Sequence, residues 1–187
     1  MDQPLAGKAV AILVANGFEE TEMTEPQRAL LKLGAALKVI SPEQGLVNGW
    51  HGRAWGHYFP VDKQITEVLA ADFDMLLLPG GERSVGKLAQ NPHTRRIVGS
   101  FMDAGKPVAA IDDAVGILTA IQKLNGRTVT GPEALRETVE QAGAVWSEEP
   151  VAVDKVLVTA RGNDDLTAFV EQVVKVFSEA AQVRKAA

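Results

Sequence analysis

Two adjacent acids, Asp112 and Asp113, follow a short apolar run in the stretch PVAAIDDAVGIL, which begins at residue 107. An apolar run of that length predicts a buried strand, and the residues after the acids predict a helix. Ligands and reactive groups gather at the carboxyl ends of strands in α/β sheets, where a bare charge is unfavourable to bury. Carboxylates at such a junction can serve as general bases, as nucleophiles or as ligands for hard metal ions.

Two other apolar runs end in residues of chemical interest. The run KAVAILVA is followed by an acidic segment that contains Glu19, Glu20 and Glu22. The run DMLLLP is followed at once by the pair Gly80–Gly81. Because parallel strands bring their carboxyl ends to one edge of a sheet, we expect both segments to lie near Asp112.

The rest of the chain alternates apolar strands with helical spacing. Strands are predicted at residues 8–15, 37–41, 74–79, 107–111 and 127–130, and as a hairpin over 151–160. Helices are predicted at residues 19–34, 94–104, 115–124, 133–142 and 164–178. The segment 45–62, rich in Gly and aromatic residues, predicts a hairpin or irregular flap. This alternation is typical of a mostly parallel sheet with helices on both faces.

Composition limits the possible partners. The 187 residues suit a single domain, 1–187, with terminal tails at about 1–7 and 180–187. A net charge of −5 without a basic run argues against nucleic acid and anionic membranes as partners. The chain has no cysteine, which excludes disulfides, thiolate catalysis and zinc–sulfur sites. With no signal peptide and no membrane span in the pattern, we expect a cytoplasmic protein.

Four stretches, in the expected order, resemble the ThiJ/PfpI superfamily of DJ-1-like proteins: AILVANGFEETEMTEP, DMLLLPGG, GKPVAAIDDAVGIL and LVTARGNDDLTAF. The most similar branch is the one named after the intracellular protease PfpI. The resemblance implies the class I glutamine amidotransferase-like fold, a flavodoxin-like α/β three-layer sandwich with a nucleophile elbow between a strand and a helix. It also implies activity as a peptidase, amidase, glyoxalase or deglycase, or a stress-response role, in a homodimer or larger homo-oligomer.

The resemblance assigns roles to most of the residues above. The family's elbow carries Cys followed by His, where this chain has Asp112 and Asp113. Its oxyanion-type pocket is formed by the Gly-Gly turn, here Gly80 and Gly81, and by the amide that follows the Cys, here that of Asp113. Its elbow-contacting Glu corresponds to Glu22, with Glu19 one turn earlier.

Two further positions depart from the family pattern. PfpI-type proteins place a Glu where this chain has Val85, and a Tyr where it has about Gly131. The family's thiol machinery is therefore absent, while the pocket frame is retained. A deliberate Cys→Asp replacement would change one position only, so the several coordinated departures favour natural divergence.

The residue types suggest what Asp112 does at the elbow. Asp tolerates the positive φ of such a corner better than most residues, and amides at a helix start favour an anion. Asp112 then mimics the oxidised cysteine sulfinate of the family, and it shares a proton with Glu22 because two neighbouring carboxyl groups do not both ionise easily. The simpler alternatives are a cap at Asp112, a dipole-complementing acid at Asp113 and an acidic helix start at Glu22.

Other candidates carry weaker signals. The acids match no named metal-binding loop, so we expect neither a metal nor a cofactor. His51 and His57 lie in the flap, and His93 follows no predicted strand end, so interface or surface positions are favoured. The aromatic residues of the flap, Trp50, Trp55 and Tyr58, are more typical of interface packing than of a binding box.

Two functions remain open from the sequence. The first is a non-catalytic stress-response or small-ligand-binding homologue that has lost the catalytic Cys and His. The second is a hydrolase or lyase in which Asp112 is the nucleophile or general base, Glu22 its proton-sharing partner, and the amides of Gly81 and Asp113 the oxyanion donors.

Overall fold

The computed structural model describes the backbone of residues 2–186 and the side chains of residues 2–183. Within this part of the chain, seven strands form a central sheet. Their spatial order is β11 (Val151–Asp154), β12 (Leu157–Ala160), β8 (Val108–Ile111), β7 (Met75–Leu78), β1 (Ala9–Leu13), β3 (Ala36–Ser41) and β6 (Lys63–Gln64). Neighbouring strands are parallel throughout, except that β11 is antiparallel to β12.

Helices cover both faces of this sheet. On one face lie α1 (Glu20–Lys32) and α6 (Leu166–Ala186), and on the other lie α2 (Glu82–Gln90), α3 (Pro92–Asp103), α4 (Val115–Ala120) and α5 (Arg136–Gln141). Each face of the sheet has its own apolar core, and successive residues of β1 point to opposite cores. Ala11 and Leu13 pack on the side of α2 to α5. Val10 and Ile12 pack on the side of α1 and α6. A strand buried on both faces reads as a continuous apolar run, which is why the sequence predicted it. The predicted three-layer α/β sandwich is confirmed.

The predicted flap is an antiparallel hairpin of β4 (Leu46–His51) and β5 (Ala54–Pro60). We call residues 46–60 the flap. Its first strand also pairs in parallel with the short β2 (Phe18–Glu19), which ties the flap to the start of α1. The predicted strand at 127–130 is real but lies outside the central sheet, because β9 (Thr128–Val129) pairs with β10 (Val145–Trp146).

Both terminal tails expected from the sequence require correction. Leu5 is fully buried, and its amide donates to the carbonyl of Leu33 at 3.0 Å. At the other end, α6 continues to Ala186, and Ala181 is buried in the core. Residues 1 and 187 lie outside the described residues. No helix within residues 2–186 is both long and apolar enough to cross a bilayer.

Candidate functional site

Asp112 occupies the sharp corner between β8 and α4. Its φ is +59°, in the left-handed region that most residues avoid and that Asp and Asn tolerate best. A single 3₁₀ turn, Asp112–Ala114, then leads into α4. The strand-to-helix elbow expected from the sequence is therefore present, with a half-buried acid at its apex.

Glu22 reaches this corner from the first turn of α1. Its side chain is fully buried, and its Oε1 accepts a hydrogen bond from the Gly80 amide at 2.9 Å. Its Oε2 is buried and has no hydrogen-bond partner among the described residues. A Cβ at Gly80 would lie 2.6 Å from Glu22 Oε1 and 2.8 Å from Asp112 Cβ, so only glycine lets the three groups approach this closely.

The two carboxyl groups shift each other's ionisation. Burial, followed by the charge of Asp112, raises the pKa of Glu22 to about 9, against the effect of the Gly80 hydrogen bond. Burial, followed by the charge of Asp113, raises the pKa of Asp112 to about 6, while the Asp113 amide and the nearby Glu22 side chain act in the opposite direction. Near neutral pH the coupled pair therefore holds one proton, which the higher pKa assigns to Glu22, while Asp112 is ionised.

Three more acids surround this pair. Burial and the nearby Glu82 raise the pKa of Asp113. Burial also raises the pKa of Glu19, against a hydrogen bond from Asn163 and the nearby His51. From the sequence, Glu82 belongs to the strand-end segment 79–82 but has no role of its own, although its position directly after the Gly-Gly turn was a signal for one.

The two acids use different amide donors. The Gly80 amide binds Glu22, and the Asp113 amide faces Asp112. Gly81 has a φ of +111°, and a Cβ there would lie 2.8 Å from the Cα of Phe18. The Gly-Gly turn is thus pressed against the loop that follows β1, and its role in a pocket remains a prediction.

The positions that depart from the family pattern have apolar surroundings. Val85, on α2, is half-buried and packs against the apolar core between the sheet and helices α2 to α5. A Cβ at Gly131 would make an ordinary contact, 3.4 Å from Cβ of Val115. Neither position therefore brings a polar group to the elbow.

The histidines contact groups other than Asp112. In the flap, the backbone N–H of His57 donates to Glu20 Oε1, and its ring Nδ1 lies 3.1 Å from Glu20 Oε2. His51 Nδ1 is 4.0 Å from the same oxygen, and His93 contacts Arg96 at 3.2 Å. Within the described residues, no group of three or more His, Cys, Asp or Glu side chains is arranged to hold a metal ion.

The acid that binds the flap was not singled out from the sequence. Glu20 is only 6% exposed, and a Cβ at either Gly49 or Gly56 would overlap its side chain. The two flap glycines are therefore the sequence signal that could have pointed to a buried group beneath the hairpin.

Comparison with known proteins gives a consistent result. The DJ-1/PfpI family model matches residues 8–176. The chain is 38% identical to general stress protein 18 of Bacillus subtilis, over 87% of this chain and 94% of that protein. It is 35% identical to protein/nucleic acid deglycase 2 of Escherichia coli, over 90% and 96% of the two chains.

A solved structure supports the same assignment. A two-domain protein from Anabaena variabilis, with DJ-1/ThiJ/PfpI-like and ferritin-like domains, superposes with a TM-score of 0.83 at 32% identity. The match covers 90% of this chain and 47% of that one. Together with the parallel three-layer sandwich and the elbow at Asp112, these matches show that the chain belongs to the DJ-1/PfpI family.

Proposed function

We propose that this protein is a non-catalytic member of its family, in which the elbow is a pH-sensitive binding site for a small polar ligand. The observation that supports it is the acid at the apex, with a φ of +59° and a buried carboxyl partner, in a chain that has no cysteine. Similarity to general stress protein 18 favours a stress-response role. In this proposal the protein acts in the cytoplasm as a homodimer.

The paired acids define the ligand chemistry. Near neutral pH, Asp112 presents an ionised acceptor and Glu22 holds its proton beside it. Asp112 is half-buried and therefore accessible from solvent, whereas Glu22 is not. A ligand with a hydroxyl or amine donor can bind Asp112, and a charge-assisted hydrogen bond of this kind is roughly twice as strong as a neutral one.

An activity assay tests the proposal directly. Methylglyoxal and short peptides are incubated with the wild-type protein and with Asp112→Ala, and we expect no turnover by either. Asp112→Cys is the matched control, since it restores a thiol at the corner of an otherwise unchanged frame. Turnover by the wild type that Asp112→Ala abolishes would show that the elbow is catalytic.

One observation favours a second function, a hydrolase or lyase that uses carboxylates. A pKa of about 6 makes Asp112 a base near neutral pH, and a pKa of about 9 keeps Glu22 available as an acid. Such an enzyme would show a bell-shaped pH–rate profile bounded by these values. It would lose its ascending limb in Asp112→Asn and its descending limb in Glu22→Gln.

A further inference from the structure

A groove of about 640 Å³ lies beside the elbow, between the flap and α2. Its walls include Asn16 from the loop after β1, Trp55 from the flap, and Glu82, Arg83 and Lys87 from α2. The groove is open to solvent and is large enough to receive a small molecule. The groove does not include Asp112 or Glu22, and of the acids near the elbow only Glu82 lines it.

Arg83 is the unusual member of this wall. Its guanidinium carbon lies 4.3 Å from the centre of the Trp50 ring and 5.7 Å from that of Trp55. Within the described part of the chain, no carboxylate lies within 4 Å of its nitrogen atoms to form an ion pair. A guanidinium stacked on an indole ring is held in place while its in-plane N–H groups remain free to donate.

Two other donors line the same groove. Asn16 accepts a hydrogen bond from the Asn48 amide through Oδ1 at 2.8 Å, so its side-chain NH₂ remains to donate. The Lys87 ammonium lies 2.9 Å from Glu43, which balances its charge without using all three of its donors. Glu82 places one negative charge on the wall next to Arg83, and this charge repels an anion. The guanidinium of Arg83 must therefore supply most of the attraction.

We propose that this groove binds a small molecule that carries a carboxylate or phosphate group on a flat ring. The anion accepts paired hydrogen bonds from Arg83, a geometry for which the guanidinium fork is suited. The ring lies against Trp55, which is 51% exposed and offers an aromatic surface. The inference does not depend on the proposed function of the elbow.

A nuclear magnetic resonance titration tests the proposal. The ¹⁵N-labelled protein is titrated at constant ionic strength with benzoate, phenyl phosphate and the uncharged benzamide. The chain has three tryptophans, and only Trp50 and Trp55 lie by Arg83. We expect both anions to shift the indole N–H signals of these two residues and to leave that of Trp146 unchanged. The tighter of the two anions identifies the acidic group that the groove prefers.

Variants identify the residue responsible. Arg83→Gln should weaken anion binding about tenfold or more, since a charge-assisted hydrogen bond is lost, and Arg83→Lys should have a smaller effect. Arg28→Gln changes the net charge equally on an exposed part of α1, and it should bind as the wild type does. Asp112→Asn should also retain binding, which separates this groove from the elbow.

Three results would overturn the proposal. Equal binding of benzamide and benzoate would show aromatic docking without anion recognition. Equal weakening by Arg83→Gln and Arg28→Gln would show a bulk charge effect. Indole signals that respond to dilution of the protein but not to either anion would show that a second copy of the chain covers the groove.

Discussion

Asp112 is tolerated at the elbow for one backbone reason and one side-chain reason. The left-handed conformation at φ +59° destabilises Asp less than it would a branched residue. The carboxylate then faces a protonated Glu22 and the Asp113 amide, which favour its charged form against the effect of burial. Because the resulting pKa is about 6, the charge at the elbow changes within the pH range of living cells.

Glu22 should make the stability of the protein depend on pH. Its pKa rises from 4.5 to about 9 on folding, so the folded state binds more protons than the unfolded state between these values. The free energy of unfolding must therefore fall as pH rises through that window. Glu22→Gln removes this group while keeping an acceptor for the Gly80 amide. The free energy of unfolding of the variant, relative to that of the wild type, should therefore rise by about 1–3 kcal/mol from pH 5 to pH 8. Urea unfolding at each pH measures this change.

The control for this experiment lies on the same helix. Glu25 pairs with Arg28 on the exposed side of α1, and Glu25→Gln should leave the pH slope of the wild type almost unchanged. If Glu22→Gln and the wild type show parallel stability curves between pH 5 and pH 9, then Glu22 does not bind its proton as described.

Among the structural elements, the turn between β7 and α2 is tightly packed against the site. Gly80→Ala would place a Cβ 2.6 Å from Glu22 Oε1 and 2.9 Å from the carbonyl oxygen of Ile111. Since one of these atoms is backbone, the turn has to shift, and we expect a loss of about 2–4 kcal/mol in the free energy of unfolding. Chemical denaturation measures this loss.

Gly86 provides a matched control in the helix that follows this turn. A Cβ at Gly86 would have no neighbour within 4 Å. Gly86→Ala should therefore stabilise the protein by about 0.5–1 kcal/mol, through better helix propensity. Similar losses in Gly80→Ala and Gly86→Ala would mean that close packing at the turn is not what requires glycine.

Glu20 should hold the flap closed against α1. It accepts the His57 amide and contacts the His57 ring from a buried position. Glu20→Ala removes both contacts, so hydrogen exchange across residues 46–60 should become about tenfold faster or more, while exchange in β1, β7 and β8 stays slow. Glu25→Ala should change neither. Equal acceleration in the flap and in the central strands would indicate global destabilisation.

Strands and helices could be predicted from the sequence where a single hydrophobic pattern extends along the whole element. The buried strands β1, β7 and β8 were found because residues on both of their faces are apolar. Helix α2 was not predicted, since Ser84 and Leu88 are its only buried residues and Gly86 lowers its helix propensity. The predicted helix at 115–124 ends early, at Ala120, because Gln122 adopts a left-handed φ of +61° that its residue type does not signal.

The candidate site was predictable in its position but not in its hydrogen bonds. The junctions after three strands, together with the family resemblance, placed Asp112, Glu22 and Gly80 near one another. The sequence could not show that the Gly80 amide binds Glu22 in place of Asp112, since that choice depends on the side-chain conformation of a residue 58 positions away. Arg83 was also missed, because stacking on Trp50 depends on how the flap folds over α2.

At the scale of the whole molecule, the flap exposes large apolar side chains to solvent. Leu46 is 53% exposed and Tyr58 is 65% exposed, and neither lines the groove beside Arg83. Large apolar side chains clustered on one element are typical of subunit contacts. We therefore expect the 20.0 kDa chain to be a homodimer in solution, with the two flaps at the contact.

Introducing charge at this surface tests the assembly and its location together. Leu46→Glu with Tyr58→Glu would place two negative charges in each copy, and therefore four at a twofold contact, where desolvation and repulsion oppose association. Light scattering after size exclusion should give about twice the chain mass for the wild type and the chain mass for the double variant. Leu69→Glu, at a 59% exposed leucine outside the flap, should remain dimeric. A monomeric wild type, or a double variant that stays dimeric, would show that the flap does not form the contact.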